Sequence, residues 1–452
     1  MKNKLTTLLH ATILMLLLTA PVGYGQTLTT LVSFDLTNGA SPLAGLVQGR
    51  DGNFYGTTAQ LFSTNELGTV FKMTPAGALT TLTTFYGTNG ANPRAGLVQG
   101  NDGNFYGTTA AGGAFNCGTV FTMTPAGVLT TLVSFDGTNG ADLEACLVQG
   151  NDGSFYGTTA TGGAFNCGTV FRMTSTGGLT TLVSFDGTNG AEPEACLVQG
   201  RDGNFYGTTV LGGDSYSSGT VFMVTPSGTL TNLLSFNGFN GSNPCAGLIL
   251  GSDGNFYGTT VNAGTGPGGG HHYGTVFMMT PSGALTTLYA FTAGDDGGDS
   301  QTGLIEGRDG NFYGTTRFGG ANANGTVFKI TPSGMLTTLV SFDGTNGDEP
   351  LADLTQGSDG HFYGTTYGGG MDGDGTIFRI EMPPILSAVP DRGELLLSWP
   401  TNNVGWTMQT ATDLGVSNWA DSSELPATVA GSYVVTNGMT NAIQFFRLHR
   451  SQ

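Results

Sequence analysis

The chain has 452 residues and a formal net charge of −18, from 32 acidic and 14 basic side chains. Because phosphate binding needs clustered Lys and Arg, this composition argues against a nucleic-acid partner. Glycine supplies 77 residues, well above its ordinary share, yet Phe and Tyr recur at fixed positions. This combination predicts an ordered protein with many tight turns rather than a disordered one.

The N-terminus predicts export. Lys2 and Lys4 precede an apolar stretch at 5–20, and a short segment of small and polar residues follows at 21–26. This is the pattern of a secretory signal peptide, which we place at residues 1–25 with cleavage near Gly25. An uncleaved membrane anchor is the alternative, but the apolar stretch is short for a span. After cleavage we expect no membrane span, and an extracellular, cell-surface or periplasmic protein.

Three motifs then occur seven times each, about 50 residues apart. Asp-Gly-x-Phe-Tyr-Gly-Thr-Thr starts at Asp51, Asp102, Asp152, Asp202, Asp253, Asp309 and Asp359. Gly-Thr-(Val/Ile)-Phe starts at Gly68, Gly118, Gly168, Gly219, Gly274, Gly325 and Gly375. Leu-Thr-(Thr/Asn)-Leu-x-x-Phe starts at Leu28, Leu79, Leu129, Leu179, Leu230, Leu285 and Leu336.

One repeat predicts four short strands and no helix. A Gly-Leu-Val-Gln-Gly segment, as at 96–100, precedes the Asp-Gly turn, and the three motifs supply the other strands. Thr, Val, Phe and Tyr suit strands, and no segment has the 3.6-residue apolar period of a helix. Four strands per unit of this length are typical of a propeller blade, so we predict an all-β, seven-bladed β-propeller over 27–382. An open solenoid or several smaller sheets are the alternatives.

The order of the motifs favours a closed ring. The chain opens with an isolated fourth strand at 28–34 and its last repeat stops after the third strand at 375–380. The N-terminal strand can therefore complete the last blade and remove two sheet edges.

The repeat also resembles known families. Asp-Gly-x-Phe-Tyr-Gly-Thr-Thr is similar to the blades of sensor-type regulator propellers. The whole unit, from Gly-Leu-Val-x-Gly to Gly-Thr-Val-Phe, resembles the tandem GloVer repeat of exported bacterial proteins. The resemblance covers about residues 27–382. It implies export with surface or periplasmic residence, and it supplies no catalytic residue.

Residues 383–452 no longer follow the repeat. Pro383-Pro384 predicts a linker, and strands are predicted at 394–399, 405–412, 432–436 and 442–449. With three tryptophans, this segment can build a small β-sandwich-like domain. Leu-Ser-Trp-Pro at 397–400, Asn-Trp at 418–419 and Phe-Phe-Arg-Leu at 445–448 resemble C-terminal domains of exported Verrucomicrobia proteins. The resemblance implies a role in sorting or adhesion.

A binding site is expected on the face where the repeats differ, which carries the variable segments 60–67, 211–218, 261–273 and 292–302. The candidate binding residues there are Asp214, His271, His272, Asp295, Asp296, Asp299, Asp372 and Asp374. No cofactor is predicted. Calcium (Ca2+) is the one candidate, because of the acidic clusters, but neither cluster ends in the bidentate acid of a calcium loop. The aspartates of the repeated Asp-Gly turns are interpreted as turn caps.

The five cysteines predict two disulfides. Cys117 and Cys167 occupy one repeat position, and Cys146 and Cys196 occupy another. Because disulfides persist after export, we predict Cys117–Cys146 and Cys167–Cys196, each joining neighbouring blades. Reduced cysteines that arose by duplication are the alternative. Cys245 is left over and predicted to be buried.

For function, the sequence favours a monomeric, secreted or cell-surface scaffold without catalytic activity. A glycan or a surface protein is the expected partner. A polysaccharide-acting propeller enzyme, either a glycosidase or a lyase, is the second hypothesis, and a purely structural spacer is the third. Such enzymes need paired carboxylates at a set separation or a His with an acid or base partner. Acidic residues crowd the variable face, but no Arg cluster or lone catalytic His is evident.

Overall fold

The computed structural model describes residues 26–59, 67–213, 216–262, 273–384, 386–391, 394–400, 406–412, 419–422, 424–430, 432–438 and 444–450. The chain folds into two compact units, and the boundary between them follows Met382. The first spans Gln26–Met382 and contains the repeats. Among the described residues, no helix is long and apolar enough to cross a bilayer.

The described part of the first unit forms seven four-stranded antiparallel sheets, so the protein is an all-β, seven-bladed propeller. The first strands of blades one to seven are Val47–Gln48, Val98–Gln99, Val148–Gln149, Val198–Gln199, Ile249–Leu250, Ile305–Glu306 and Thr355–Gln356. The second strands are Phe54–Thr58, Phe105–Thr109, Phe155–Thr159, Phe205–Thr209, Phe256–Thr260, Phe312–Thr316 and Phe362–Thr366.

The outer half of each blade is longer than the inner half. The third strands are Thr69–Met73, Thr119–Met123, Thr169–Met173, Thr220–Val224, Thr275–Met279, Thr326–Ile330 and Thr376–Glu381. The fourth strands of blades one to six are Leu79–Thr84, Leu129–Ser134, Leu179–Ser184, Leu230–Ser235, Leu285–Ala290 and Leu336–Ser341. The first strands are only two residues long, shorter than the predicted five-residue segment.

The predicted closure of the ring is confirmed. Strand Thr27–Ser33 pairs antiparallel with Thr376–Glu381, from Thr27 opposite Glu381 to Ser33 opposite Thr376. Its neighbour Phe34 is fully buried and donates its backbone N–H to the carbonyl of Gly375 at 2.9 Å. The seventh sheet therefore has three strands from the end of the repeat region and one from its beginning.

Neighbouring blades are joined by aromatic pairs, one of which comes from the same dipeptide in every blade. Phe and Tyr are consecutive in every second strand, so their rings point to opposite faces of the blade. The Tyr ring of one blade packs on the Phe ring of the following blade at centroid distances of 3.9 to 4.2 Å. The pair Tyr363–Phe54 continues this pattern from blade seven to blade one. The same dipeptide thus contributes a ring pair to all seven interfaces.

The repeated turn aspartates have a structural role, as the turn interpretation predicts. In blade three, the carboxylate of Asp152 accepts hydrogen bonds from the Ser154 backbone N–H at 3.0 Å and from the Tyr156 hydroxyl at 2.9 Å. The matching pair in blade one, Asp51 and Tyr55, also meets at 2.9 Å. These turns therefore cap the second strand and hold the tyrosine that forms the blade interface.

The second unit contains two small sheets in its described residues. One has the strand order Ser387–Asp391, Glu394–Pro400, Ser432–Gly438 and Ala427–Val429. The other has the order Ala420–Asp421, Trp406–Ala411 and Phe445–Arg450. Leu397, Trp399 and Val435 of the first sheet share a core with Met408 of the second, so the unit is sandwich-like.

Candidate functional site

The candidate residues that the structure describes do not form one site. Asp214, His271 and His272 lie outside the described residues. Asp296 caps its own loop, where its carboxylate accepts hydrogen bonds from the Thr292 backbone N–H at 2.9 Å and the Tyr289 hydroxyl at 3.1 Å. The carbonyl of Asp295 accepts one from the Thr338 hydroxyl at 2.9 Å.

The other acidic candidates also separate. The backbone carbonyl of Asp374 accepts the N–H of Ser41 at 2.9 Å, and Asp372 is exposed on the same loop. Of the five candidates that the structure describes, only Asp299 lies at the central channel described below. Within the described ranges, no group of three His, Cys, Asp or Glu side chains could hold a metal ion.

The seven blades meet around a central channel, and the segment that precedes each first strand forms its mouth. One cavity touches residues from all seven of these segments. We call its upper lining the mouth ring, which consists of Leu43, Arg94, Glu144, Glu194, Cys245, Gln301 and Leu351. Two residues further along the chain lies the inner ring, which consists of Gly45, Gly96, Cys146, Cys196, Gly247, Gly303 and Asp353.

Two residues before the mouth ring is a third set, which we call the rim: Ser41, Asn92, Asp142, Glu192, Asn243, Asp299 and Glu349. All seven have a left-handed backbone, with φ between 50° and 59°. Each donates its backbone N–H to a carbonyl in the loop between the second and third strands of the preceding blade, at 2.8 to 3.2 Å. The left-handed conformation costs a non-glycine residue about 1 kcal/mol or more and is held in place by the surrounding structure.

The mouth is acidic, and its carboxyls differ in their surroundings. Arg94 forms an ion pair with Glu144. Glu194, in the next blade, makes no hydrogen bond or ion pair with any described residue. Burial raises the pKa of Glu194 to about 7, and the nearby carboxylates of Glu144 and Glu192 add to this effect. Burial also raises the pKa of Glu144, although the positive charge of the Arg94 guanidinium has the opposite effect on this pKa.

A second cluster of charged and polar side chains lies on the other side of the mouth. The Arg317 guanidinium donates two hydrogen bonds to Glu349, at 3.1 and 3.0 Å, and lies 3.8 Å from Asp299. The Gln301 amide donates to Asp299 at 3.1 Å. Burial raises the pKa of Asp299, although Gln301 and Arg317 favour its charged form. This side of the mouth is therefore largely neutralised by internal pairing.

Below the mouth, Asp353 is the one inner-ring residue with a charged side chain. Asp353 accepts the Gly303 backbone N–H at 2.6 Å. The surrounding protein disfavours the charged carboxylate and raises the pKa of Asp353, although part of the side chain is exposed to solvent in the channel. A Cβ atom at Gly303 would lie 3.2 Å from that carboxylate, and one at Gly45 only 2.9 Å from the Asp353 carbonyl. Glycine at these positions lets neighbouring blades approach closely at the axis.

The predicted disulfides are wrong. The structure joins Cys146 to Cys196, with Cα atoms 5.0 Å apart, while Cys117 and Cys167 are free. Equivalent residues of adjacent blades are closest at the axis, where the inner ring lies, and this distance suits a disulfide. Cys245 is half-buried in the mouth rather than fully buried, and burial raises the pKa of its thiol to about 12.

Sequence reasoning therefore missed most of the mouth. The missed residues are Arg94, Asp142, Glu144, Glu192, Glu194, Glu349 and Asp353. A signal was present, because these positions vary between repeats whose other residues barely change, as in Asn-Pro-Arg-Ala-Gly at 92–96 and Asp-Leu-Glu-Ala-Cys at 142–146. The mouth segments keep a nearly constant length and differ between repeats in residue type.

None of the curated proteins is similar enough to the chain to count as a relative. Several solved structures share the fold. A 6-phosphogluconolactonase candidate from Bacteroides uniformis is 16% identical with a TM-score of 0.44, over 66% of this chain and 83% of its own. The gluconolactonase XC5397 from Xanthomonas campestris is 12% identical with a TM-score of 0.41, over 79% and 90%. The calcium-binding protein regucalcin from Agrobacterium tumefaciens is 13% identical with a TM-score of 0.39, over 64% and 85%.

These comparisons correct the expected function. A scaffold without catalytic activity was predicted, but the solved structures of similar fold include enzymes. Identities this low show the fold alone, so neither the lactonase activity nor the calcium site is carried over to this chain.

The repeat itself gives a direct assignment. The model of the Gloeobacter/Verrucomicrobia repeat matches residues 20–218 and again residues 196–388. These matches include all seven blades and most of the chain, in agreement with the resemblance seen in the repeated motifs. The chain belongs to the Gloeobacter/Verrucomicrobia repeat family.

Proposed function

We propose that the propeller is an enzyme that carries out acid–base hydrolysis of small esters at the mouth of its channel. The observation that carries the proposal is the asymmetry of the mouth ring. A sevenfold scaffold of nearly identical blades places one paired carboxylate, Glu144, next to one unpaired carboxyl, Glu194. Carboxyls whose surroundings differ in this way are suited to opposite roles in proton transfer.

Glu194 is the proposed general acid. Its pKa of about 7 keeps much of it protonated near neutral pH, which is where a general acid is most effective. Glu144 is the proposed general base, since its ion pair with Arg94 favours the charged form. Glu144 would take a proton from water as the water oxygen bonds to the carbonyl carbon. Glu194 would give its proton to the alcohol oxygen as the C–O bond breaks.

The charge around the mouth restricts the substrate. Asp142, Glu192 and Asp353 add to the carboxyls already named, and Arg94 is the basic side chain in the ring. Such a field disfavours phosphorylated and other anionic substrates. The inner ring is narrow, with Cα atoms of adjacent blades 5.0 Å apart at the disulfide. The proposed substrate is therefore a small, neutral or cationic ester.

A panel of neutral, cationic and anionic chromogenic esters tests the proposal on the full mature chain. We expect hydrolysis of neutral and cationic esters, at a rate that falls as the pH rises through about 7 and Glu194 ionises. Glu194→Gln should lower kcat by roughly 10²- to 10⁴-fold, the usual contribution of a general acid. Glu424→Gln changes an exposed carboxylate outside the propeller and serves as the matched control.

Two results would overturn the proposal. One is a wild-type protein that hydrolyses none of the esters faster than the Glu194→Gln variant. The other is a rate that rises through pH 7, which would mean that the ionised form of Glu194 is the active one.

We also propose that residues 1–25 are removed during export and that the C-terminal unit acts outside the cytoplasm in sorting or adhesion. The disulfide supports this compartment, because such bonds persist in oxidising surroundings. N-terminal sequencing of the secreted protein tests the cleavage, and a mature chain that still begins at Met1 would contradict it.

A further inference from the structure

Three consecutive blades each present an aromatic ring to solvent at the same loop position. The loop between the second and third strands carries Phe115 in blade two, Phe165 in blade three and Tyr216 in blade four. Their relative exposures are 63%, 62% and 67%. We call this set the aromatic row. Single exposed apolar side chains are common on a protein surface, but these three recur at one loop position of three adjacent blades.

The loops that carry the two phenylalanines are held in place. In blade two, the Asn116 side chain accepts the Gly112 backbone N–H at 3.0 Å, and the Ser134 hydroxyl accepts the Ala114 N–H at 3.3 Å. Blade three repeats both contacts, with Asn166 at 3.1 Å and Ser184 at 3.3 Å. Exposed rings on fixed loops lose little conformational entropy on binding, so their exposure favours a partner.

Each phenylalanine loop is also tied to an acidic rim residue. Asp142 donates its backbone N–H to the carbonyl of Cys117, two residues after Phe115, at 3.2 Å. Glu192 does the same to Cys167, two residues after Phe165, at 3.1 Å. The blade-to-blade contact of the rim therefore places a carboxylate-bearing residue beside each loop that carries a phenylalanine.

We propose that the aromatic row and these two carboxylates dock an Arg- or Lys-rich peptide segment. A cationic side chain is attracted by the face of an aromatic ring and by a neighbouring carboxylate. The repeat of this combination on adjacent blades suits several cations along one chain rather than a single cation. The net charge of −18 steers basic partners toward the protein and repels acidic ones. The two carboxylates also contribute to the charge around Glu194, but Phe115 and Phe165 do not belong to the mouth, so the aromatic variants test this proposal apart from the hydrolytic one.

Fluorescence anisotropy with the full mature chain tests the proposal. The probe is a labelled ten-residue peptide of alternating Arg and Ser, and the comparison peptide has Glu in place of Arg. We expect binding of the Arg peptide alone, weakening as salt is added. The double variant Phe115→Ala/Phe165→Ala should weaken binding about tenfold, the scale of cation–π and contact losses at two sites. The double variant Asp142→Asn/Glu192→Gln should weaken it and flatten its dependence on salt.

Met335→Ala is the matched control, because Met335 is 70% exposed but lies in the turn between the third and fourth strands, at the other end of its blade. It should bind the Arg peptide as the wild type does. The proposal is overturned if the aromatic double variant binds like the wild type, or if the Glu peptide binds equally well. It is also overturned if the Arg peptide does not bind at low salt, or if spermine displaces it at equal concentration, which would indicate a site for small cations.

Discussion

The closing strand allows a sharp test of the ring, through the substitution Phe34→Ala. Phe34 is fully buried, and its ring centroid lies 5.7 Å from that of Phe71 in the neighbouring blade. Truncation of a fully buried phenylalanine to alanine costs about 3–5 kcal/mol, from lost transfer free energy and the cavity left behind. If the N-terminal strand is an integral part of blade seven, Phe34→Ala should lower the free energy of unfolding by this amount. Urea denaturation followed by circular dichroism measures it, because the three tryptophans of the chain lie in 383–452 and not in the propeller.

The matched control is Phe185→Ala. Phe185 is also fully buried, and its ring lies 5.1 Å from Phe222, but its strand is internal to the chain. We expect the two variants to lose similar stability. If Phe34→Ala costs less than about 1 kcal/mol while Phe185→Ala costs the full amount, the first strand detaches easily and the ring is not closed by it.

Two further predictions concern the mouth. Replacing Cys146 and Cys196 with Ser should lower the free energy of unfolding by about 4 kcal/mol, because the disulfide closes a loop of 50 residues. Cys245→Ser is the control, and a Cys117–Cys146 peptide in a non-reducing digest would contradict the bond. Since the folded state raises the pKa of Glu194 from 4.5 to about 7, it binds this proton more tightly than the unfolded state. Ionisation therefore costs folded-state stability as the pH rises from about 4.5 to about 7, and Glu194→Gln should remove up to about 3 kcal/mol of that loss. Equal pH dependence of wild type and Glu194→Gln in urea denaturation would refute it, with Glu424→Gln as control.

The fold was predictable because every blade contains the same sequence motifs in the same order. The Asp-Gly turn, the Phe-Tyr pair and the Gly-Thr-Val-Phe strand recur in order, and the unpaired motif at Leu28 indicated how the ring closes. The Phe-Tyr pair also forms part of the interface between blades. Consecutive residues of a strand point to opposite faces, so one ring faces the preceding blade and the other faces the following blade. The stacking partner of each ring became visible only when the blades were placed beside each other.

The mouth was not predictable in the same way, since it is built from residues about 50 positions apart that share a distance from the axis. The pairing of Cys146 with Cys196 shows this. Blades diverge outward, so equivalent residues touch near the axis and separate away from it. Cys117 and Cys167 occupy equivalent positions too, but on outer loops, and both remain free. The pKa of Glu194 likewise depends on Glu144 and Glu192, whose proximity no local pattern reveals.

The left-handed rim has a consequence for how this repeat can diversify. Serine, asparagine, aspartate and glutamate all adopt the same strained φ there, and the same backbone hydrogen bond to the preceding blade accompanies each of them. The strained backbone conformation is therefore set by the blade architecture and does not depend on which side chain occupies the position. Exchange of one rim residue for another leaves the junction between blades unchanged. A duplicated blade consequently brings a position whose chemistry can change while the architecture is inherited intact.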